Sequence, residues 1–376
     1  MSGIYIHIPF CLKRCYYCDF YSETNFRFRK HLTDSIVKEI YLRKDYLTEK
    51  KIDTIYFGGG TPSLLRKKDF ELIFEVIYQT YSVNSEAEIT FEANPDDLTK
   101  SYLSSLSSLP FNRISIGIQS FSDYFLRLLR RRHTSLQALK SVENAREAGF
   151  ENISIDLMYG LPNQKLSDWE CELNIALERG VQHISAYGLT YEEGTQLKKL
   201  YDLKKITAVN DETVNKMYRM LLKKTQENGF EAYEISNFAL HGYRSQHNSA
   251  YWKQKPYIGV GPSAHSYNGD SRQWNVSSIG EYIKAISENK IPAEAEKLSL
   301  YDRYNDFVMV SLRTAEGINL DELEKRFGTE LKKYCLENIK TFIETEKIEF
   351  SGNVIRLNTE GVLISNIISA ELMKVD

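Results

Sequence analysis

The stretch "IYIHIPFCLKRCYYCDF" at residues 4–20 decides how the rest of the chain is interpreted. It begins with alternating β-branched residues, which predict a strand over residues 4–9. Three cysteines, Cys11, Cys15 and Cys18, follow with the spacing C-x3-C-x2-C. If the strand belongs to a sheet of repeated βα units, the cysteines lie at its carboxyl end, where such sheets bind ligands.

Three clustered thiols predict a site for a soft metal, either a zinc ion or an iron–sulfur cluster. A structural zinc ion has four ligands, so Asp19 or His7 would have to supply the fourth. A [4Fe–4S] cluster held by three cysteines instead leaves one iron open to a small molecule. The spacing favours the cluster and leaves zinc as the alternative.

Short β-rich runs alternate with helical periodicity from residue 4 to about residue 239, which predicts an α/β protein with a parallel sheet, either a barrel or doubly wound. The predicted strands cover residues 4–9, 54–59, 88–94, 113–119, 152–160 and 183–189, with 231–236 as a further candidate. The predicted helices cover residues 26–48, 66–80, 99–108, 122–148, 167–179 and 211–228.

The last third of the chain has a different character. Residues 240–296 are rich in Gly, Pro, Asn and aromatic residues, which predicts an ordered loop beside a site. Three helical patterns and a hairpin around a Gly-Asn turn then resemble a winged helix. From Lys297 onward there are 11 Lys and Arg against 14 Asp and Glu, a net charge of −3, which argues against DNA binding.

Composition excludes several classes of protein. The 376 residues carry a net charge of −3, so a nucleic acid is not expected as the main partner. Five cysteines, three of them clustered, do not form a secreted disulfide framework. Neither a signal peptide nor an integral membrane segment is indicated, and the expected location is the cytoplasm.

Two further features point to a ligand at the same edge of the predicted sheet. The stretch "YFGGGTPS" at residues 56–63 has three consecutive glycines after a strand, and without side chains there a ligand can approach the backbone. Glu92, Gln119 and Asp156 lie at or near the ends of three successive strands. Because the carboxyl ends of parallel strands converge on one face, a shared polar ligand is predicted there.

Together these features resemble the radical S-adenosylmethionine (SAM) superfamily, and within it the family of the oxygen-independent coproporphyrinogen III oxidase. The motifs that carry the resemblance are "YIHIPFC", "CYYCDF", "GGGTPS", "SIGIQSF", "RRRHT", "SIDLMYGLP", "HISAYGLT" and "HNSAYW". The resemblance implies a partial (β/α)6 TIM-like barrel over residues 1–239, a connector carrying a heme-motif loop over 240–296, and a winged-helix-like α+β domain over 297–376.

The resemblance also implies roles for individual residues. Cys11, Cys15 and Cys18 would bind the [4Fe–4S] cluster, whose open iron chelates SAM; one electron from the cluster then cleaves SAM to methionine and a 5′-deoxyadenosyl radical. The SAM site would be lined by Tyr5, Tyr17, Gly59, Gly60, Thr61, Glu92, Gln119, Arg131 and Asp156, with Tyr187 and His265 as weaker candidates.

Two details resemble the heme chaperone branch of this family, HemW. The oxidase carries an additional cysteine where this chain has Phe20, and "HNSAYW" at residues 247–252 is similar to the heme motif of the chaperones. The resemblance implies that heme is bound by His247, supported by Asn248, Tyr251 and Trp252. One departure is Arg130, which stands where the family has glycine before the predicted SAM-site residue Arg131.

Three functions follow from this resemblance and from the cysteine spacing. The first is a heme chaperone that delivers heme to a recipient hemoprotein and receives electrons from a donor. The alternative is an enzyme that oxidatively decarboxylates two propionates of coproporphyrinogen III, so whether the chain is an enzyme stays open. The third is a zinc-stabilised scaffold that binds a partner protein.

Overall fold

The computed structural model describes residues 2–375. Its strands are β1 (Gly3–Ile8), β2 (Lys51–Gly59), β3 (Ser82–Ala93), β4 (Arg113–Gln119), β5 (Asn152–Tyr159), β6 (His183–Gly188), β7 (Phe230–Glu234), β8 (Asn237–Leu240), β9 (Tyr257–Val260), β10 (His265–Tyr267), β11 (Ser271–Asn275), β12 (Ala293–Lys297), β13 (Ile318–Asn319), β14 (Ile348–Ser351) and β15 (Val354–Leu357).

The helices surround this sheet and form most of the carboxyl-terminal part. They are α1 (Arg29–Leu42), α2 (Lys67–Thr80), α3 (Lys100–Leu106), α4 (Asp123–Leu128), α5 (Ser135–Glu147), α6 (Leu166–Glu178), α7 (Gln196–Asp202), α8 (Asp211–Glu227), α9 (Gln246–Trp252), α10 (Ile279–Ser287), α11 (Leu300–Leu312), α12 (Leu320–Phe327), α13 (Thr329–Asn338), α14 (Lys340–Glu344), α15 (Thr359–Leu363) and α16 (Ser365–Leu372). Short 3-10 helices cover Phe26–Phe28, Pro62–Leu64 and Pro95–Asp97.

The large sheet is an open barrel built around six consecutive parallel strands. Strands β1 to β6 pair in chain order, and β9 adds a seventh parallel strand beside β1. Antiparallel strands extend both edges, with β8 and β7 beyond β6, and β10, β11 and β12 beyond β9. The prediction of an α/β protein with a partial barrel is therefore confirmed.

Alternation along β1 shows how the sequence builds this sheet. Ile4, Ile6 and Ile8 are buried in the main hydrophobic core, which also contains the apolar faces of α1, α2, α5 and α6. Tyr5 and His7 point to the opposite, concave side of the sheet. Tyr56 and Glu92 lie on the same side and are hydrogen-bonded to each other, and this is the side on which the candidate site lies.

Two predicted segments differ from the structure. The single helix predicted over residues 122–148 is two helices, α4 and α5, because Arg130 adopts a left-handed backbone conformation with φ +60°. The predicted loop around "HNSAYW" is wrong, since this motif forms helix α9, whose N-cap Ser245 accepts a hydrogen bond from the Asn248 N–H. The flanking region also contributes β9 to β12 to the sheet.

The carboxyl-terminal helices pack around a second hydrophobic core. Its members include Tyr304, Phe307 and Leu323. Strands β13, β15 and β14 form a small antiparallel sheet in that order, and the predicted hairpin turn at Gly352 is present. Helices beside a three-stranded sheet match the winged-helix-like arrangement expected from the sequence.

A helix that spans a bilayer needs about 20 consecutive, mostly apolar residues. Within residues 2–375, none of the helices is long and apolar enough to cross a membrane.

Candidate functional site

The cysteine loop lies at the carboxyl end of β1, as the sequence predicts. All three thiols line a cavity of about 570 Å³ at the carboxyl ends of the parallel strands. The loop is held by backbone hydrogen bonds, from Cys11 N–H to Glu23 O at 3.0 Å and from Tyr16 N–H to Leu129 O at 3.1 Å. The cysteines are thus fixed at the mouth of the barrel.

The arrangement of donors decides which metal group the loop can hold. Within residues 2–375, no three His, Cys, Asp or Glu side chains converge closely enough to hold a single metal ion. A [4Fe–4S] cluster does not need such convergence, because each cysteine binds a different iron of the cluster. The three thiols line one cavity, and three cysteines fit the donor set of a [4Fe–4S] cluster.

Burial disfavours ionisation of two of these thiols. It raises the pKa of the Cys18 thiol to about 11 and raises the pKa of Cys11 as well. The Arg131 charge opposes the raised pKa of Cys11, and its Nη1 lies 3.4 Å from Cys15 Sγ. Since thiolates are the metal ligands, assembly of a cluster would release protons from this loop.

Arg131 joins the cysteine loop to the neighbouring strands. Its Nη2 donates to Asn94 Oδ1 at 2.6 Å and to the Gly117 carbonyl oxygen at the end of β4. Its Nη1 lies 3.5 Å from Tyr17 Oη. Arg130, in its left-handed conformation, directs the following residue, Arg131, into the cavity. This agrees with the assignment of Arg131 to the predicted SAM site.

The glycine-rich turn after β2 lies against the cysteine loop. A Cβ on Gly60 would meet the carbonyl oxygens of Ile8 and Phe10 at 2.7 Å, and one on Gly59, at φ +100°, would meet the His7 ring at 2.5 Å. These glycines thus allow close packing of two protein segments, in addition to lining the cavity. Thr61 follows them, with its Oγ1 3.5 Å from Cys11 Sγ.

Two of the carboxyl groups that line the same cavity have raised pKa values. Burial raises the pKa of Glu92 to about 7 and that of Asp156 to about 6. Glu92 accepts hydrogen bonds from Tyr56 Oη at 2.8 Å and from the Gly59 N–H at 3.2 Å. Both groups therefore favour a cationic ligand, which would restore the charged carboxylates that burial suppresses.

Most of the SAM-site residues predicted from the sequence come together in this cavity, but two do not. Tyr17, Gly59, Gly60, Thr61, Glu92, Gln119, Arg131, Asp156 and Tyr187 line it. Tyr5 lies deeper in the barrel, where its hydroxyl is 3.2 Å from His7 Nδ1, and exposed His265 on β10 stacks on Trp274 instead. Their assignment to the SAM site is therefore not supported by this geometry.

Several residues that also line the cavity were not predicted from the sequence. Asn94 and Met158 are among them. Asn94 directly follows β3, so the rule that selected Glu92 would have selected it too. Gln119 was selected as a strand-end residue, but its left-handed backbone, at φ +68° beside a β-bulge, could not be predicted. Such strained conformations are concentrated at functional sites.

The predicted heme motif lies at the opposite, amino-terminal end of the barrel. His247 contacts Thr54 near the start of β2, and its N–H donates to Glu88 Oε1 of β3 at 3.0 Å. The pairing register places Thr54 beside Gly3, the first residue of β1. Helix α9 thus covers the end of the barrel that is remote from the cysteines.

The side chain of His247 is fully engaged within the protein. Its Nδ1 lies 2.8 Å from Thr54 Oγ1, and its Nε2 lies 2.8 Å from Tyr251 Oη. The ring stacks on Tyr56 with a centroid distance of 5.0 Å. Burial, with Arg113 nearby, lowers the pKa of His247 to about 3, so the imidazole is neutral at pH 7. Neither ring nitrogen is free to bind heme iron in this arrangement.

The four residues predicted to hold heme therefore separate into different environments. His247 and Tyr251 face the barrel interior. Trp252 faces the other side of α9, where its indole lies 5.2 Å from the Arg313 guanidinium. Asn248 contributes its backbone N–H to the cap of α9. The structure does not bring these side chains together around one ligand.

The chain is similar to known proteins in sequence and in fold. Residues 5–172 match the radical SAM superfamily, and residues 298–364 match the HemN C-terminal domain. The heme chaperone HemW of Bacillus subtilis is 33% identical over 97% of both chains. The chain belongs to the HemW family of radical SAM proteins. A second HemW, from Lactococcus lactis, is 31% identical and covers 97% of this chain and 95% of its own.

The fold of this HemW-family chain is similar to that of a solved radical SAM enzyme. The coproporphyrinogen III oxidase HemN of Escherichia coli superimposes with a TM-score of 0.84 at 21% identity, covering 99% of this chain and 90% of that chain. At this identity the likeness concerns the fold alone. Membership of the radical SAM superfamily implies a [4Fe–4S] cluster and SAM, and the donor set at Cys11, Cys15 and Cys18 fits that implication.

Proposed function

We propose that this protein is a heme chaperone that binds a [4Fe–4S] cluster, SAM and heme, and passes heme to a recipient hemoprotein. The observation that carries the proposal is similarity over nearly the whole chain to proteins named as heme chaperones, at 33% and 31% identity. Both the barrel and the carboxyl-terminal part are covered, so the similarity is not limited to the cofactor domain.

The cavity at the cysteine loop supports the cofactor part of the proposal. Cys11, Cys15 and Cys18 would hold the cluster, which supplies a single electron when bound. The carboxyl groups of Glu92 and Asp156 would bind the positively charged and hydroxyl-bearing parts of SAM. With a pKa of about 7, Glu92 is partly protonated at neutral pH, so a cation binding there displaces part of that proton.

Phe20 supports the chaperone over the oxidase. It lines the cavity at the position where the resemblance implies an additional cysteine in the oxidase, and 64% of its surface is exposed. A phenyl ring has no ionisable proton or thiol to contribute to a reaction on the substrate. Its ring leaves an exposed apolar surface at the mouth of the barrel instead.

The recipient hemoprotein and an electron donor complete the proposed function as partners. A cluster with an open iron and free cysteines favours a reducing compartment, which for this chain we take to be the cytoplasm. His247 as the axial ligand of heme stays a prediction from the motif, and its contacts with Thr54 and Tyr251 do not support it.

One anaerobic sample tests the proposal. After reconstitution of the cluster, the protein is titrated with heme, and the same preparation is incubated with SAM, a reductant and coproporphyrinogen III. We expect a saturable Soret band and no formation of protoporphyrinogen IX beyond one equivalent per chain. Repeated turnover of coproporphyrinogen III would favour the oxidase function over the chaperone function. A missing Soret band would contradict heme binding.

A further inference from the structure

A second cavity, of about 650 Å³, lies on the side of α9 that faces away from the barrel interior. Its walls come from β7, α9, α11 and α12, so it lies between the barrel and the carboxyl-terminal helices. Backbone hydrogen bonds fix this junction, from Ile235 N–H to Arg313 O at 3.0 Å and from Ala315 N–H to Tyr233 O at 3.1 Å. The volume falls in the range of ~300–1,000 Å³ that is typical of ligand pockets.

The cavity has an aromatic lining. Trp252 of α9 and the buried Phe307 of α11 both contribute to it. The indole Nε1 of Trp252 is buried and has no hydrogen-bond partner among the described residues. Tyr233 adds a third ring. Arg244 covers the buried Tyr233 ring and Arg326 the buried Phe307 ring, so half-buried Trp252 is the lining ring that a planar ligand can contact. Its indole N–H is a donor still available to that ligand.

Two of the four cationic side chains at the cavity are already neutralised. Arg244 Nη1 lies 2.7 Å from Glu316 Oε1. Arg326 Nη1 lies 3.4 Å from Glu322 Oε1, and its guanidinium covers the Phe307 ring at 4.9 Å. These ion pairs hold the walls in place and leave little net charge of their own.

The other two cations are Lys253 and Lys255, which follow α9 directly. Both are exposed, line the cavity and form no ion pair within residues 2–375. The cavity therefore combines aromatic walls with two positive charges that lack a counter-ion. This combination matches a planar ligand that carries two carboxylates.

We propose that this cavity binds heme, with the ring against Trp252 and the two propionates at Lys253 and Lys255. The inference rests on the proposed heme chaperone function and names its site. The residues lining the cavity include no histidine, cysteine or methionine, and the Tyr233 hydroxyl is 2.8 Å from His183 Nε2. Heme would then be held by contacts of its ring and its propionates, and no residue lining the cavity would bind its iron.

Three porphyrins and two pairs of variants test this site in the full-length, cluster-loaded protein. Heme, metal-free protoporphyrin IX and protoporphyrin IX dimethyl ester are each titrated under anaerobic conditions. We expect heme and protoporphyrin IX to bind with similar affinity and the ester at least tenfold more weakly. Lys253→Ala/Lys255→Ala should weaken heme binding about tenfold, while the control Lys223→Ala/Lys290→Ala, whose lysines do not line this cavity, should not.

Tryptophan fluorescence locates the ligand independently. The chain has three tryptophans, and only Trp252 lines this cavity. Heme should quench the wild-type emission by more than it quenches that of Trp252→Phe. Equal affinity of the lysine pair and its control, or of the ester and the free acid, would overturn this site while heme binding itself persisted. Absence of heme binding in every variant would overturn the proposed function as well.

Discussion

Each end of the barrel carries a motif of ligand-type residues, but only the motif at the carboxyl end leaves its polar groups facing a cavity. At the carboxyl end, the cysteine loop leaves thiols and raised-pKa carboxyl groups facing a cavity. At the amino end, His247 of "HNSAYW" has a partner for each ring nitrogen and stacks on Tyr56. A cluster of ligand-type residues predicts binding only where the fold leaves their polar atoms without protein partners.

The largest effect is expected at the carboxyl end. Cys15→Ala should abolish the brown colour and reduce bound iron from about four atoms per chain to almost none, because two thiols cannot retain the cluster. Iron and sulfide analysis after anaerobic reconstitution measures this. Cys171→Ala is the matched control, since Cys171 is exposed on α6, and it should keep full iron content. Iron retained by Cys15→Ala would place the cluster elsewhere.

At the amino end, substitution of the histidine should act on stability. His247→Ala removes two buried hydrogen bonds and a ring stack, so we expect the free energy of unfolding to fall by about 3 kcal/mol with the iron content unchanged. Chemical denaturation followed by fluorescence measures the loss. Gln246→Ala, on the exposed side of the same helix, should change stability by less than about 0.5 kcal/mol.

This prediction can also break the comparison between the two ends. If His247→Ala unfolds like the wild type but loses the Soret band of bound heme, His247 is a ligand, and helix α9 must open to expose it. The contacts to Thr54 and Tyr251 would then describe only the heme-free state.

A smaller, pH-dependent effect is expected from Glu92. Burial raises its pKa to about 7, compared with about 4.3 for an unfolded chain, so the folded state binds the proton more tightly. The contribution of Glu92 to stability is therefore fully present below about pH 4.3 and is lost as the pH rises through about 7. Glu92→Gln should lower the slope of stability against pH between 5 and 8, measured without SAM. An unchanged slope would mean that Glu92 is ionised in the fold.

Much of the carboxyl end could be predicted from the sequence, because the relevant signals are local. The cysteines follow β1 directly, and Glu92 and Gln119 lie at or near strand ends, so chain order alone brought them to one face. The six parallel strands were predicted for the same reason, since each has its own β-rich run between helical patterns.

The amino end could not be predicted, because its contacts are distant in sequence. His247 and Thr54 are 193 residues apart, and no local pattern indicates that α9 closes the barrel. The residue types of "HNSAYW" suggested a ligand, but in the structure His247 and Tyr251 are hydrogen-bonded to each other. The cavity beyond α9 was missed for a related reason, since Phe307 comes from a helix that begins almost fifty residues after the motif ends.

Arg130 gives the smallest and most local test of the carboxyl end. Its left-handed conformation, φ +60°, costs about 1 kcal/mol for a residue with a Cβ, and its guanidinium lies 5.3 Å from the Tyr16 ring in the cysteine loop. Arg130→Gly and Arg130→Ala both lose this contact, but only glycine relieves the backbone. We expect Arg130→Gly to be more stable than Arg130→Ala by about 1 kcal/mol in thermal unfolding. Equal stability would mean that the turn before Arg131 is held by its hydrogen bonds at no conformational cost, so the glycine of the family would serve another purpose there.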